Sequence, residues 1–497
     1  MITFSVSILC LLLGYFVYGK FIARVFGIDE KKLTPARRLA DGVDYQVLPA
    51  WKVFLIQLLN IAGLGPIFGA VLGAAYGPVA YIWIVVGCVF MGAVHDFFSG
   101  FVSLRRDGMS LPDVIGEYLG VNARRFFRVY SAFFLLLIGA SFVNGPAGLL
   151  GNFSRSVRDA LAETFPQVAN CPLPGLEFWI CVIFAYYIFS TIMPIGKFIA
   201  RIYPVMCAAL VFMAVGVAGA MIWKNCTGAL AMPELTLATL KNFHSAPSEN
   251  LLFPMLFVVI SCGALSGFHA TQSPMMARCL GNEKLARPVF YGAMISEGVI
   301  AMIWATAAMT FCGGPEGLNA AADAGSTPAI IVNEICKNWL GIAGSILAIF
   351  GVIVCPISSG DTAFRGIRLI LADAFSLKQN KLLSRILISV PIFVAAFFLC
   401  RFEFAQIWKY VGIGNQTMAA ATLWAGSIFM RRAGKPHWIL SVPAMFITAV
   451  CVSYFLVAPY KSGGLALAPV WIGYASGALV AVAIFCAFLL KTRSRKN

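Results

Sequence analysis

Charge is what this sequence has least of. Asp, Glu, Lys and Arg make up 12% of its 497 residues, about half the share of an ordinary soluble domain, while hydrophobic residues make up 60% and mean hydropathy is +0.85. Water cannot be the solvent for most of such a surface. Acidic residues are scarcer than basic ones, 21 against 37, which leaves a net charge of +16. That surplus invites a nucleic-acid reading. The Lys and Arg residues, however, sit in short clusters between apolar runs and not along one face or tail, which argues against nucleic acid as a partner. Histidine is rare: His95, His244, His269 and His437 show no HExxH or similar ligand spacing. The 14 cysteines include no CxxC pair, and most lie in apolar runs, where they act as small hydrophobes. A metalloenzyme is not expected, nor any cofactor.

What the sequence has in abundance is apolar runs of about 20 residues, the length that crosses a bilayer. Thirteen fall near 2–19, 53–75, 79–102, 126–150, 177–196, 199–223, 251–270, 289–311, 339–360, 383–400, 404–430, 437–458 and 467–490. The first lacks a basic stretch before it, so it reads as an uncleaved membrane segment with its N-terminus outside. Basic residues test the count, because they collect in cytoplasmic loops. With the N-terminus outside, 29 of the 37 Lys and Arg fall in inner connections and the tail and seven in outer ones, with Lys409 inside a segment. The expected topology is N-out, C-in. Cys171, Cys226, Cys312 and Cys336 fall in outer connections, where a disulfide can persist; free thiols are the default expectation.

The second, seventh and ninth segments contain breaks; the ninth is loosened by proline and glycine around Ser358 and Asp361, and the other two are interrupted at their centres. The second centres on Asn60-Ile-Ala-Gly63-Leu-Gly65-Pro66, where Pro66 removes a backbone donor and clashes with the preceding turn. The seventh centres on Ser261, Cys262, Gly263, Ser266, Gly267 and His269, small and polar at mid-depth. Close helix packing also uses single glycines. Two polar breaks five segments apart, entered from opposite sides, instead suggest inverted copies around a binding site. The expected organisation is an N-terminal helix and basic loop (1–47), a five-helix repeat (48–223), an inverted five-helix repeat (224–430), and two further helices with a basic tail (431–497). This all-α polytopic arrangement resembles the LeuT-type 5+5 fold of the APC superfamily. The substrate site would then comprise Gly63, Gly65, Gly263, Ser266, Gly267 and His269.

Ionisable groups inside the bilayer are costly and often functional. The candidates are His95 and Asp96 in segment three, Glu297 in segment eight, and Asp361 with Ser358, Ser359 and Thr362 in segment nine; Lys409, Asn415 and Gln416 mark segment eleven. Each has a structural alternative: an Asp96–Arg105 or Asp361–Arg365 pair, a snorkelling Lys409, hydroxyls bonded to their own helix. In LeuT-type proteins segment nine lies beside the first break. On that resemblance Ser358, Ser359, Asp361 and Thr362 would face carbonyls near Ala62 and Gly63 and hold Na⁺, for which oxygen ligands are suited. If the coupling ion is H⁺, Asp361, Asp96, His95 or Glu297 would carry it. The outer loop before segment nine offers Ser326 or Thr327 as a cap and Pro328 as the first turn of a short covering helix.

The stretches NIAGLGPIFGAVLGAAYG, GAVHDFFSGFVSLRRDGMSLPDVIGEYLG, ISCGALSGFHATQSP, GDTAFRGIRLILAD and VGIGNQTMAAATLW together resemble the carbon starvation (CstA) family, from Leu48 to about Trp424. The resemblance implies a bacterial inner-membrane transporter linked to nutrient limitation, taking up peptides or, in some relatives, pyruvate with protons. It also implies relatives longer than this chain. Half-helix ends near the breaks favour an anionic group, so the expected partners are a small carboxylate substrate and the lipid bilayer. No oligomeric state follows. Three classes compete. An enzyme would need a nucleophile–base pair, and adjacent His95 and Asp96 point about 100° apart on a helix, poor geometry for a dyad. A sensor would bring an output domain, and a channel a repeated polar ring. An ion-coupled transporter fits best.

Overall fold

The computed structural model describes residues 1–196, 198–377, 379, 381–402 and 404–493. Lys197, Lys378, Arg495 and Lys496, which enter the charge pattern above, lie outside them. Among the described residues the chain is helical, with no strand; one isolated bridge joins Leu48 and Leu280.

The helices are α1 (Ile2–Phe26), α2 (Ala50–Ile61), α3 (Gly65–Ala74), α4 (Val79–Arg105), α5 (Leu111–Leu119), α6 (Val121–Thr164), α7 (Leu176–Ile192), α8 (Ile199–Cys226), α9 (252–259) and α10 (Gly267–Ala277). They continue as α11 (Glu283–Phe311), α12 (Pro315–Asp323), α13 (Pro328–Ala374), α14 (Leu382–Leu399), α15 (Phe404–Arg432), α16 (Trp438–Val457) and α17 (Val470–Arg493). Eight are long and apolar enough to cross a membrane, or nine if the bent pair α2–α3 is one span. The remaining four predicted segments also coincide with helices. One is the 17-residue α7, one is split between α9 and α10, one bends at Gly341 (φ 65°, ψ −153°), and one, α15, carries Lys409 and ends on Arg431 and Arg432.

Helix ends follow local chemistry. Gly27 closes α1 in the left-handed conformation (φ 76°), where glycine bears no Cβ penalty. The Thr327 hydroxyl accepts from the Ile330 N–H and Pro328 opens the first turn. The expected short helix is thus the first arm of α13, up to the bend at Gly341, and α12 is a further short helix just before it. Five π-helical turns interrupt the bundle, at Gly14–Tyr18, Gly65–Gly69, Cys88–Gly92, Leu252–Leu256 and Arg287–Gly292.

The outward faces are apolar. Val205, Phe212, Trp223 and Leu479 are each about 70% exposed, which is stable only against hydrocarbon. The interior is the reverse: it holds buried aromatics such as Trp304 and Tyr81 and also fully buried Gln57, Asn60, His95, Asp96, His269, Glu297 and Asp361. This is a multi-pass membrane bundle whose costly groups lie at its centre. All fourteen cysteines are free thiols, Cys171, Cys226, Cys312 and Cys336 among them.

Candidate functional site

The two interruptions meet. After Ile61 the backbone leaves the helix at Ala62 (φ −80°, ψ 50°), and the axis turns by 54° before α3 resumes. The second break begins at Ile260 (φ −93°, ψ 61°), passes through Gly263 (φ 84°) and ends at extended Ser266. A Cβ placed on Gly65 would lie 2.1 Å from Cβ of Cys262, and one on Gly263 would lie 3.8 Å from Cα of Pro66. Small residues on both sides let the backbones touch.

Broken helices leave backbone groups without partners, and α15 supplies several. Asn415 Oδ1 accepts from Ser266 Oγ and from the Phe268 N–H, each at 3.0 Å. Gln416 Nε2 donates to the carbonyls of Phe257 at 2.7 Å and Leu265 at 3.4 Å. Gly267 lies so close to α15 that a Cβ there would fall 2.4 Å from the Asn415 carbonyl.

Four ionisable side chains run in a line to this break, all fully buried. His95 Nδ1 lies 2.8 Å from Asp96 Oδ1, Asp96 Oδ2 lies 2.9 Å from His269 Nδ1, and His269 Nε2 lies 3.4 Å from Glu297 Oε2. Glu297 Oε1 then accepts the Gly263 N–H at 3.1 Å. The chain joins α4, α10 and α11 and ends on the backbone of the second break. Although adjacent on the helix, with poor geometry expected for an enzyme's dyad, His95 and Asp96 are in hydrogen-bond contact. The Asp96 carboxylate bridges two imidazoles, one from each oxygen. Asp96 therefore pairs with histidines and not with Arg105, whose partner is Glu283.

Segment nine divides. Ser359 Oγ reaches the carbonyls of Asn60 at 3.0 Å and Leu59 at 3.3 Å, and it is the nearest atom to a Cβ on Gly63. The other three turn elsewhere, because four residues spaced by 100° cannot share one face. Ser358 donates to the Cys355 carbonyl and Thr362 to the Ser359 carbonyl. Asp361 accepts from Ser190 at 2.5 Å and Tyr203 at 2.6 Å, facing α7 and α8. Of the six residues expected to cradle a cation, Ala62, Gly63, Ser358, Ser359, Asp361 and Thr362, Ser359 thus sits beside Gly63 at the first break, whereas the Asp361 carboxylate is engaged by α7 and α8.

A cavity of about 170 Å³ leads to the breaks, with Gly65, Ser261, Cys262, Asn415, Trp408 and Lys409 among its walls. Lys409 lies at its rim with Nζ 4.9 Å and 5.2 Å from the ring centres of Tyr410 and Tyr460. A larger groove of about 640 Å³, lined by Phe133, Phe134, Leu137 and Phe455, is apolar and faces outward between helices. At the other end of the bundle is an arrangement that sequence reading missed. Arg365 and Arg368 are fully buried around Asp44, which comes from the loop before α2, at 3.6 and 3.1 Å. Burial alone would raise the Asp44 carboxyl. The guanidiniums of Arg368, Arg365 and Arg278 outweigh it and hold the group below the usual carboxylate range.

For holding a metal, one group of side chains stands out among the described residues. Cys262 Sγ, a ring nitrogen of His269 and a carboxylate oxygen of Glu297 lie within 4.8 Å of one another.

Paired helix breaks enclosing buried polar groups within an all-helical membrane bundle give the chain the LeuT-type fold of membrane transporters. The solved structure of a Na⁺-coupled sialic acid symporter superposes with a TM-score of 0.53 over 95% of this chain and 96% of that one, at 14% identity. The chain belongs to the carbon starvation protein CstA family, which matches residues 1–168 and 161–345. An uncharacterised membrane protein of Haemophilus influenzae is 42% identical over 65% of this chain and 95% of its own length. The peptide transporter CstA of Escherichia coli is 30% identical over 60% of this chain and 48% of its own. The pyruvate/proton symporter BtsT of the same organism is 26% identical, over 70% and 56%. The chain therefore spans about half the length of these two transporters. The family is one of membrane transporters and not of enzymes.

Proposed function

We propose that this protein is a proton-coupled importer of a small carboxylated nutrient, working by alternating access around the two crossed breaks. The observation that carries the reading is the contact of Gly65 with Cys262 beside a buried ionisable chain that ends on the Gly263 N–H. Moving a proton along His95, Asp96, His269 and Glu297 changes the charge of the carboxylate that holds the break, which links protonation to the shape of the site. Sodium is disfavoured by the same geometry: the Leu59 and Asn60 carbonyls already accept from Ser359, and Asp361 points away from them.

In this reading thirteen segments cross the membrane, N-out and C-in, with inverted repeats at 48–223 and 224–430 flanked by 1–47 and 431–497. The cavity past Lys409 is the outer approach. The Asp44–Arg365–Arg368 cluster, with the Arg105–Glu283 and Arg278–Asp373 pairs, closes the inner side. Gly63, Gly65, Gly263, Ser266, Gly267 and His269 surround the substrate. Helices α3 and α10 both start here, so their positive ends favour a carboxylate, a group common to pyruvate and peptides.

The test is uptake of labelled pyruvate into proteoliposomes with pH and sodium gradients imposed separately and a dipeptide as competitor. Uptake driven by the pH gradient alone is expected. Uptake driven by sodium alone would overturn the coupling assignment. No uptake of pyruvate, and none of a labelled dipeptide or amino acid, would overturn the transport reading.

A further inference from the structure

Three atoms of the buried chain lack hydrogen-bond partners: His95 Nε2 at its far end, and two where the chain meets the second break. His269 Nε2 and Glu297 Oε2 are enclosed and unsatisfied, and they face each other at 3.4 Å. Leaving such groups bare is costly. The third group beside them is the Cys262 thiol, whose residue lines the cavity of about 170 Å³.

We propose that Cys262, His269 and Glu297 form a binding site for a divalent transition metal of the Zn²⁺ class, reached through the outer cavity. The donor set of one sulfur, one imidazole nitrogen and one carboxylate oxygen suits Zn²⁺ or Co²⁺ and not Mg²⁺ or Ca²⁺, which prefer oxygen alone. In a tetrahedral site with bonds of about 2.0–2.3 Å, ligand atoms lie about 3.3–3.7 Å apart. The His269–Glu297 separation already falls in that range, and Cys262 has little more than an ångström to close. A thiolate, a carboxylate and a neutral imidazole sum to −2, so a divalent ion leaves the site neutral in a low-dielectric interior.

The surroundings are those of a supported metal site. His269 presents its other nitrogen to Asp96, as metal-binding histidines commonly do to a carboxylate. Asp96 is itself held by His95, and the second oxygen of Glu297 is held by the Gly263 N–H. Three protein ligands leave a fourth position toward the cavity. Sequence spacing gives no sign of this, because Glu297 comes from another helix and Cys262 from an irregular turn. An ion here would tie the second break to α10 and α11 and occupy the atoms assigned to the proton. The site itself rests on geometry and not on the transport reading.

Binding is read on the purified full-length protein, without transport. Equilibrium dialysis with Zn²⁺ and titration with Co²⁺ should give one ion per chain, with a thiolate-to-cobalt charge-transfer band. Cys262→Ala should abolish the band, His437→Ala should leave it intact, and Asp96→Asn should weaken Zn²⁺ binding by about 10–100-fold through loss of imidazole support. Gel filtration and thermal unfolding verify that each variant is folded; Glu297→Gln serves as a second ligand variant. Substoichiometric binding, or a charge-transfer band that survives in Cys262→Ala, would overturn the proposal.

Discussion

Replacing Gly65 with Ala adds one carbon at the point where the two breaks touch. That carbon would fall 2.1 Å from Cβ of Cys262 and 2.3 Å from its Sγ, whereas real contacts essentially never come under 3.0 Å. The breaks must separate by about an ångström, against a cavity wall on one side and packed helices on the other. Overpacking of this kind costs about 1–3 kcal/mol. If the closed contact belongs to the transport cycle, the rate falls by about 5- to 150-fold. The assay is initial uptake in proteoliposomes, normalised to folded protein. Gly219→Ala is the control, because nothing lies within 4 Å of a Cβ there. A second substitution sharpens the test. The clash is with Cβ as well as sulfur, so Cys262→Ala in the Gly65→Ala background should not rescue, whereas Cys262→Gly should. Wild-type uptake by Gly65→Ala, or equal behaviour of the two rescue variants, would refute the placement of the site.

Glu297→Gln keeps an acceptor for the Gly263 N–H but cannot take the charge, so gradient-driven uptake should disappear while substrate exchange persists; full gradient-driven uptake removes Glu297 from coupling. Asp361→Asn replaces a charged acceptor of the Ser190 and Tyr203 hydroxyls, bonds worth about 1.5–3 kcal/mol. Uptake should be lost together with a lowered melting temperature, and an unchanged value of both would free Asp361 from either role. Asp44→Asn leaves Arg368 buried without its counter-charge, at a cost of about 3–5 kcal/mol, read as a drop in melting temperature in detergent. The Asp44 carboxyl is depressed, so its contribution is complete above the ordinary carboxylate range and is lost only as pH falls through the lowered value. The wild-type minus Asp44→Asn difference should therefore be flat from neutral pH down to about pH 5, and a difference that fades near pH 6 would contradict it.

The breaks were legible because their cause is local: glycine, proline and small polar residues within a few positions of one another. The apolar segments were legible for the same reason, since hydrophobic length is written along the chain. The links across the bundle were not. Asp96 and His269 are 173 positions apart, and Asp44 and Arg368 are 324 apart; no periodicity connects them. Segment nine shows the intermediate case. Its hydroxyls and carboxylate were recognised as unusual, but only the helical phase decides that Ser359 faces the first break while Asp361 faces the other way. Asn415 and Gln416 stood out as polar, yet their work as caps for α9 and α10 depends on a neighbour that sequence does not name.

The π-helical turns carry a consequence for motion. Each inserts one residue more than the regular ladder needs, and one of them, Gly65–Gly69, opens the half-helix at the first break. Another, Cys88–Gly92, lies just before His95 and Asp96. Such a turn can pass along a helix one residue at a time, exchanging one backbone bond for the next. Each step turns the side chains it passes by about 100° about the axis. A helix so equipped can redirect a buried side chain without unfolding and without sliding past its neighbours, a peristaltic movement inside an otherwise fixed bundle.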